Sequence, residues 1–143
     1  MSATQYYESL YWQGKYERPY ERRRAQIIEG IYGRIPFQRH WLTLDLGAGT
    51  GFYSKRLRKR GVRVVTADVD HGVVKAIKGH GFFPAVCNCD GSLLPFQDSS
   101  IEVVNALDIL EHLHEPLLLL DEIRRVLRPG GYSLISTQNR NSL

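Results

Sequence analysis

Residues 41–53 read Trp-Leu-Thr-Leu-Asp-Leu-Gly-Ala-Gly-Thr-Gly-Phe-Tyr, and this stretch decides the fold. Its apolar first half, residues 41–46, predicts a buried strand that carries one acid, Asp45, near its end. Three glycines follow in alternation, and residues 53–60 have the composition of a helix. Glycine lacks a Cβ and accepts positive φ, so such a turn lets backbone N–H groups approach a ligand closely. The stretch therefore predicts a site for a nucleotide-like ligand at the end of the first strand.

The glycine spacing discriminates between kinds of nucleotide site. Gly47, Gly49 and Gly51 are spaced Gly-x-Gly-x-Gly, whereas a dinucleotide-binding turn has the spacing Gly-x-Gly-x-x-Gly. Phe52 stands where that last glycine belongs. The spacing counts against a nicotinamide-dependent oxidoreductase, which stays open as an alternative.

The rest of the chain alternates strand and helix patterns. Residues 62–67 form a second apolar run that Asp68 closes, about twenty residues after the glycine turn, where an acid can accept hydrogen bonds from a ribose. Further strands are predicted at 83–87, 101–107 and 132–137, the last after a sharp stop at residues 128–131. Right-handed crossovers then predict an α/β fold, a mainly parallel sheet with helices on both faces. We expect one domain, in which an aromatic and basic helical segment at 1–40 precedes a core at 41–143.

Four ordered stretches resemble the class I S-adenosylmethionine (SAM)-dependent methyltransferases. They are LDLGAGTG, the acid that closes the second strand, CDGSLLPFQDSSIEVV and VLRPGGYSLIST, and together they span residues 41–137. The resemblance implies a Rossmann-like three-layer fold with strand order 3-2-1-4-5 and SAM as cofactor. The family usually continues beyond strand five, whereas this sequence stops at Leu143. Either the sequence is a piece of a longer chain or the fold is minimal. An exposed edge of strand five would then be covered by a second copy or a partner chain.

The resemblance also assigns the cofactor residues. It places the methionine end of SAM on the glycine turn, the ribose on Asp68, and the adenine on Asp90, with a backbone N–H near Gly91. Val69 is expected to pack on the adenine. The full expected set is Asp45, Gly47, Ala48, Gly49, Gly51, Asp68, Val69, Asp90, Gly91, Asn105, Ala106 and Leu107.

The sequence Asp-Ile-Leu-Glu-His at 108–112 lies just past strand four, where the methyl acceptor is expected. His112, with Glu111, is the candidate general base, and the alternative is an inert, hydrogen-bonded imidazole. In a helical turn Asp108, Glu111 and His112 would share one face and suit Mg²⁺ or Mn²⁺. This pattern looks like the Glu-x-x-Glu-His element of metal-dependent O-methyltransferases. A capping and packing role is the alternative that we favour, so we do not predict a bound metal ion.

Composition narrows the setting. The net charge is +4, and no apolar run reaches the about 20 residues that span a bilayer. Cys87 and Cys89 lie two residues apart on one strand, which is poor disulfide geometry, so we expect a reduced, cytoplasmic protein. Residues 1–20 hold six aromatic side chains, which either cover the core or form part of a lid: Tyr6, Tyr7, Tyr11, Trp12, Tyr16 and Tyr20.

These observations together predict a SAM-dependent methyltransferase. Its acceptor is expected to be a small molecule that is methylated on oxygen or nitrogen, with RNA and protein acceptors left open. The alternative from another functional class is a non-catalytic partner subunit that keeps this fold as a scaffold.

Overall fold

The computed structural model describes residues 14–78, 83–86 and 93–138. The chain divides into two compact units, Met1–Phe37 and Gln38–Leu143. In the first unit, a short 3₁₀ helix at Lys15–Glu17 precedes helix α1, Pro19–Tyr32. Pro19 occupies the first helical turn, where its missing N–H has no partner to lose.

The second unit is a five-stranded parallel sheet with its connecting helices. Its elements are β1 (Leu42–Leu46), α2 (Phe52–Lys59), β2 (Arg63–Asp68), α3 (His71–Lys78), β3 (Phe83–Val86), β4 (Ile101–Leu107), a 3₁₀ helix (Leu110–His112), α4 (Pro116–Val126) and β5 (Leu127–Ser136). The strand order is β3-β2-β1-β4-β5, and all four neighbouring pairs are parallel. The predicted α/β class and strand order are confirmed. The order reverses between β1 and β4, and ligands of such sheets bind at the carboxyl end of this switch point.

The strand register separates an apolar face from a polar one. Leu44 pairs with Val104 and Leu46 with Ala106, and this face carries the core under α4. The buried residues of that core are Leu44, Leu46, Ala67, Leu94, Ile101, Val104, Ala106, Ile109, Leu119, Ile123 and Val126. Because successive side chains point to opposite faces, Asp45 lies on the other face, where α2 packs. Helices therefore cover both faces.

Strand β5 begins earlier than predicted. The expected stop at 128–131 lies inside the strand, because Leu127 pairs with Ile101 and Tyr132 pairs with Val103, with a register shift between them. Glycine makes this bulge possible. Gly130 has a φ of 78°, and a Cβ on Gly131 would lie 2.8 Å from the backbone oxygen of Glu102.

The longest described helices, α1 and α4, have 14 and 11 residues. A membrane span needs about 20 residues. Among the described residues, no helix is long and apolar enough to cross a bilayer.

Candidate cofactor and acceptor site

The glycine turn follows β1 at the carboxyl edge of the sheet. Gly47, Gly49 and Gly51 have φ values of 63°, 52° and 72°, all in the left-handed region that strains any residue with a Cβ. The Gly47 N–H donates to the carbonyl oxygen of Ala67 at 2.8 Å, and the Gly51 N–H donates to that of Ala48 at 2.8 Å. The turn is thus a fixed loop that needs glycine at all three positions.

Asp68 ends β2 beside this turn and is buried. Its Oδ2 accepts a hydrogen bond from the Gly49 N–H at 3.1 Å, and its Oδ1 accepts one from the Asp70 N–H at 3.0 Å. Burial raises the pKa of this carboxyl above its usual range. Each carboxylate oxygen has a second lone pair, so Asp68 can also accept hydrogen bonds from two ligand hydroxyls.

Asp45 lies on the polar face just before the turn and is 2% exposed. Its Oδ1 accepts a hydrogen bond from Nδ2 of Asn105 at 2.6 Å, and its Oδ2 accepts one from the Ser54 hydroxyl. Burial raises the pKa of Asp45 to about 6, although both hydrogen bonds oppose that rise. Asn105 belongs to the expected cofactor set, and its side chain is committed to Asp45. Ser54 was not predicted, since nothing in the chain marks it before the position of α2 is known.

The other expected cofactor residues have mixed surroundings. Val69 follows Asp68 with 55% of its surface exposed, whereas Ala48, Ala106 and Leu107 are buried. Asp90 and Gly91 lie outside the described residues, as do Cys87, Cys89 and the aromatic residues of the first 13 positions. The structure thus brings Asp45, the glycine turn, Asp68 and Asn105 together at one edge of the sheet.

The segment after β4 begins with a sharp change of chain direction. Asp108 has a φ of 55°, and its N–H donates to the carbonyl oxygen of Ser136 at 3.0 Å. The Ser136 hydroxyl donates to Oδ1 of Asp108 at 3.0 Å. Glu111 and His112 are exposed, and Oε2 of Glu111 accepts a hydrogen bond from the Thr137 hydroxyl at 3.2 Å. His112 therefore presents its side chain to solvent beyond the end of β4.

In the structure, Asp108, Glu111 and His112 do not converge into a group that could hold a metal ion. Among the described residues, no three His, Cys, Asp or Glu side chains form a group that could hold one. The physical reason is the backbone of Asp108. Its left-handed conformation lies outside the helical turn, which starts only at Leu110, so the three side chains do not share a helix face.

Ile109 connects this segment to the glycine turn. A Cβ built on Gly47 would lie 3.0 Å from both Cγ1 and Cδ1 of Ile109. The two segments that border the switch point are thus in contact.

A methyltransferase domain family matches residues 44–135, which is more than half of the chain. The chain belongs to this family. A probable SAM-dependent methyltransferase of Mycolicibacterium smegmatis is 32% identical over 135 residues, which cover 93% of this chain and 48% of that protein. This methyltransferase-domain chain thus spans about half the length of that curated relative. Membership of a methyltransferase family argues against the alternative of a nicotinamide-dependent oxidoreductase.

Solved structures agree with the family. A Pyrococcus horikoshii protein superposes with a TM-score of 0.74 over 92% of this chain and 64% of its own, and at 23% identity it shows the fold alone. A structure of a Haloferax volcanii methyltransferase with the Trm112 methyltransferase activator matches with a TM-score of 0.65 and 26% identity. That match covers 73% of this chain and 49% of the other.

SAM is the cofactor of SAM-dependent methyltransferases, and the described residues of this methyltransferase domain fit it. The left-handed glycine turn leaves its backbone without side chains at the switch point, and Asp68 has spare acceptor capacity for ribose hydroxyls. Two buried carboxylates beside the turn also suit a ligand that carries positive charge.

Proposed function

We propose that this chain binds SAM at the carboxyl edge of its sheet and transfers the methyl group to a small-molecule acceptor, on oxygen or nitrogen. The observation that carries the proposal is the turn of three left-handed glycines, tied through the Gly49 N–H to the buried carboxylate of Asp68. This arrangement offers backbone donors and a carboxylate acceptor side by side, which a nucleoside with an amino-acid tail requires.

In this proposal each part of the edge holds one part of the cofactor. The glycine turn receives the methionine end, Asp68 accepts hydrogen bonds from the ribose hydroxyls, and exposed Val69 packs on the adenine. Asp90 and the backbone at Gly91 are proposed for the adenine edge. A carboxylate accepts from an amino group and repels an oxo group, so Asp90 would select adenine over guanine.

When bound, SAM supplies a methyl group on a sulfonium that leaves readily. The chain can therefore contribute largely by holding the acceptor in line with that bond. A hydroxyl acceptor must also lose a proton, and exposed His112 is the proposed base, with the neighbouring Glu111 carboxylate held by Thr137.

A second candidate function is a non-catalytic subunit, and two observations favour keeping it. In the described sheet β5 pairs only with β4, and an unpaired strand edge can accept a further strand. The Haloferax volcanii neighbour was solved with an activator protein. SAM binding without methylation of any acceptor would favour this candidate. Methylation of an acceptor by the purified chain would exclude it.

The decisive experiment is calorimetric titration of SAM into wild type, Asp68→Ala and Asp121→Ala. Loss of charge-assisted hydrogen bonds to the ribose should weaken binding to Asp68→Ala about 10- to 100-fold. Asp121 is an exposed aspartate on α4, and its variant should bind like wild type. An unchanged dissociation constant in folded Asp68→Ala would contradict the ribose assignment, and no binding by wild type would contradict the function.

The role of His112 needs an acceptor, which a screen with methyl-labelled SAM can identify. For a hydroxyl acceptor, His112→Gln should lower kcat on the order of 100-fold and leave the SAM dissociation constant unchanged. The exposed His114 gives the matched control, because His114→Gln should keep wild-type kcat. Equal losses in both variants would argue against a specific base.

A further inference from the structure

Three buried polar side chains form a cluster on the sheet face that α2 covers. We call Asp45, Ser54 and Asn105 the Asp45 cluster; their exposed fractions are 2%, 0% and 1%. Burial of polar groups is tolerated when they are hydrogen-bonded, and here both Asp45 oxygens have a donor. Thr66 pairs with Asp45 in the register on the same face, and its hydroxyl has no hydrogen-bond partner among the described residues. The Asp45 cluster is thus a specific hydrogen-bond network, and the hydroxyl of the neighbouring Thr66 takes no part in it.

The Asp45 cluster joins the three elements that border the proposed cofactor site. Asp45 lies on β1 just before the glycine turn, and Ser54 lies in the first turn of α2 just after it. Asn105 lies on β4, across the switch point from the turn. One carboxylate therefore fixes both ends of the turn and ties them to the strand that leads to the acceptor segment.

This network depends on the charge of Asp45. An ionised carboxylate accepts on both oxygens, whereas a protonated one carries a donor on one oxygen and can no longer serve both neighbours as well. Burial raises the pKa of Asp45 to about 6. Among the described groups, the charged group that faces Asp45 is Asp68 on β2, and its negative charge raises the pKa of Asp45 further. Ser54 on α2 and Asn105 on β4, which also face Asp45, are neutral. The group therefore titrates just below neutral pH.

The geometry points to Ser54 and Asn105 as positioning residues that act on cofactor binding through Asp45 and make it depend on protonation of that carboxyl. This inference rests on the function proposed above. Because Asn105 can only donate to Oδ1, a proton on Asp45 goes to Oδ2, where the hydrogen bond with the Ser54 hydroxyl must reverse and loses its charge assistance. The support of the turn is weakened. A negative charge near a cationic ligand disappears as well. Both effects weaken SAM binding as the pH falls.

The test is calorimetric titration of SAM from about pH 5 to about pH 8, with four proteins. Wild-type affinity should fall as the pH drops below about 6, where Asp45 takes up its proton. Ser54→Ala removes a hydrogen bond that holds the pKa down. Its affinity should therefore begin to fall at higher pH, with about a tenfold loss already at neutral pH. Asp45→Asn cannot ionise, so its binding should be weaker and lack the fall near pH 6.

Thr66→Val is the matched control. It removes a buried hydroxyl from the same sheet face without removing a described hydrogen bond, so it should follow the wild-type profile. Thermal unfolding establishes that each variant is folded. Should Ser54→Ala not fold, the comparison between wild type and Asp45→Asn still decides.

A wild-type affinity without pH dependence, or a Ser54→Ala profile that coincides with wild type, would overturn the inference alone. Failure of wild type to bind SAM at every pH would overturn the proposed function and the inference with it. The two failures are therefore distinguishable.

Discussion

Two groups of carboxylates in the second unit have different hydrogen-bond donors. At the cofactor edge, Asp45 and Asp68 accept only from neutral groups, and within the described ranges neither forms an ion pair. On α4, Arg125 makes a clamp: its Nε and Nη2 donate to the two oxygens of Glu122 at 2.7 Å, and its Nη1 donates to Asp98 at 2.6 Å.

The clamp also binds the chain that precedes β4. Nη1 and Nη2 of Arg125 donate to the carbonyl oxygens of Phe96 and Leu94 at 2.8 and 2.9 Å, and Glu122 accepts from the Leu94 N–H at 2.7 Å. Arg125 lowers the pKa of Glu122, whereas burial raises that of Asp45. A carboxylate that already has a cation stabilises the fold and offers little to a ligand. A buried carboxylate with neutral donors keeps its charge for a ligand, at a cost to stability.

The largest expected effect tests whether the glycine turn, and not only Asp45 and Asp68, makes the cofactor edge bind SAM. Gly49→Val should weaken SAM binding by about 100-fold or more. A β-branched residue is strained at a φ of 52°, so the backbone should shift and weaken the hydrogen bond from the residue-49 N–H to Asp68. Gly130→Val is the control, since it has a φ of 78° and open space around its Cβ in the β5 bulge. Gly130→Val should lower the melting temperature and keep SAM affinity. Equal losses of SAM affinity in the two variants would show that the glycine turn has no specific role in binding.

The next effect is on stability without ligand. Because folding raises the pKa of Asp45 from 3.8 to about 6, the folded state holds this proton more tightly than the unfolded state. The free energy of unfolding therefore declines as the pH rises between these values, by up to about 3 kcal/mol. Asp45→Asn should recover part of that loss at neutral pH and flatten the decline, as measured by urea unfolding. If Asp45→Asn were less stable than wild type at neutral pH, this would contradict the idea that the buried charge of Asp45 lowers the free energy of unfolding.

The smallest effect concerns the clamp. Glu122→Gln should cost about 1 kcal/mol or less, since the pair is partly solvated, and should leave SAM affinity unchanged. The pKa of Glu122 is lowered by folding, so its contribution is present above its ordinary value of 4.5 and is lost as the pH falls below it. Urea unfolding at neutral and acid pH measures both. A change in SAM affinity would show that the two regions are coupled.

Much of the fold could be predicted from the sequence. Apolar runs bounded by glycine and acids placed β1, β2 and β4, and the alternation with helices required parallel strands. The strand order was predicted from the resemblance to the methyltransferase family, and the pairing of the strands confirms it. The start of β5 was missed because Arg-Pro-Gly-Gly reads as a stop, although a parallel partner can hold both flanks of such a bulge.

Contacts within the candidate site could be predicted only where one short stretch contains the whole signal. The glycine turn is such a stretch. The bond of Asn105 to Asp45 spans 60 residues and depends on which strand lies beside β1, and the Arg125 clamp spans 27 to 31 residues. The left-handed backbone of Asp108, which keeps this residue outside the helical turn of Glu111 and His112, was not predicted because no sequence pattern indicates it.

The contact between Ile109 and Gly47 has a consequence for sequence divergence. Alanine at 47 would meet a positive φ and two Ile109 carbons at 3.0 Å, whereas a smaller residue at 109 would remove the second obstacle. A smaller residue at 109 would therefore not free position 47 for a side chain, because the positive φ remains. Position 109 is expected to vary among related sequences while position 47 stays glycine.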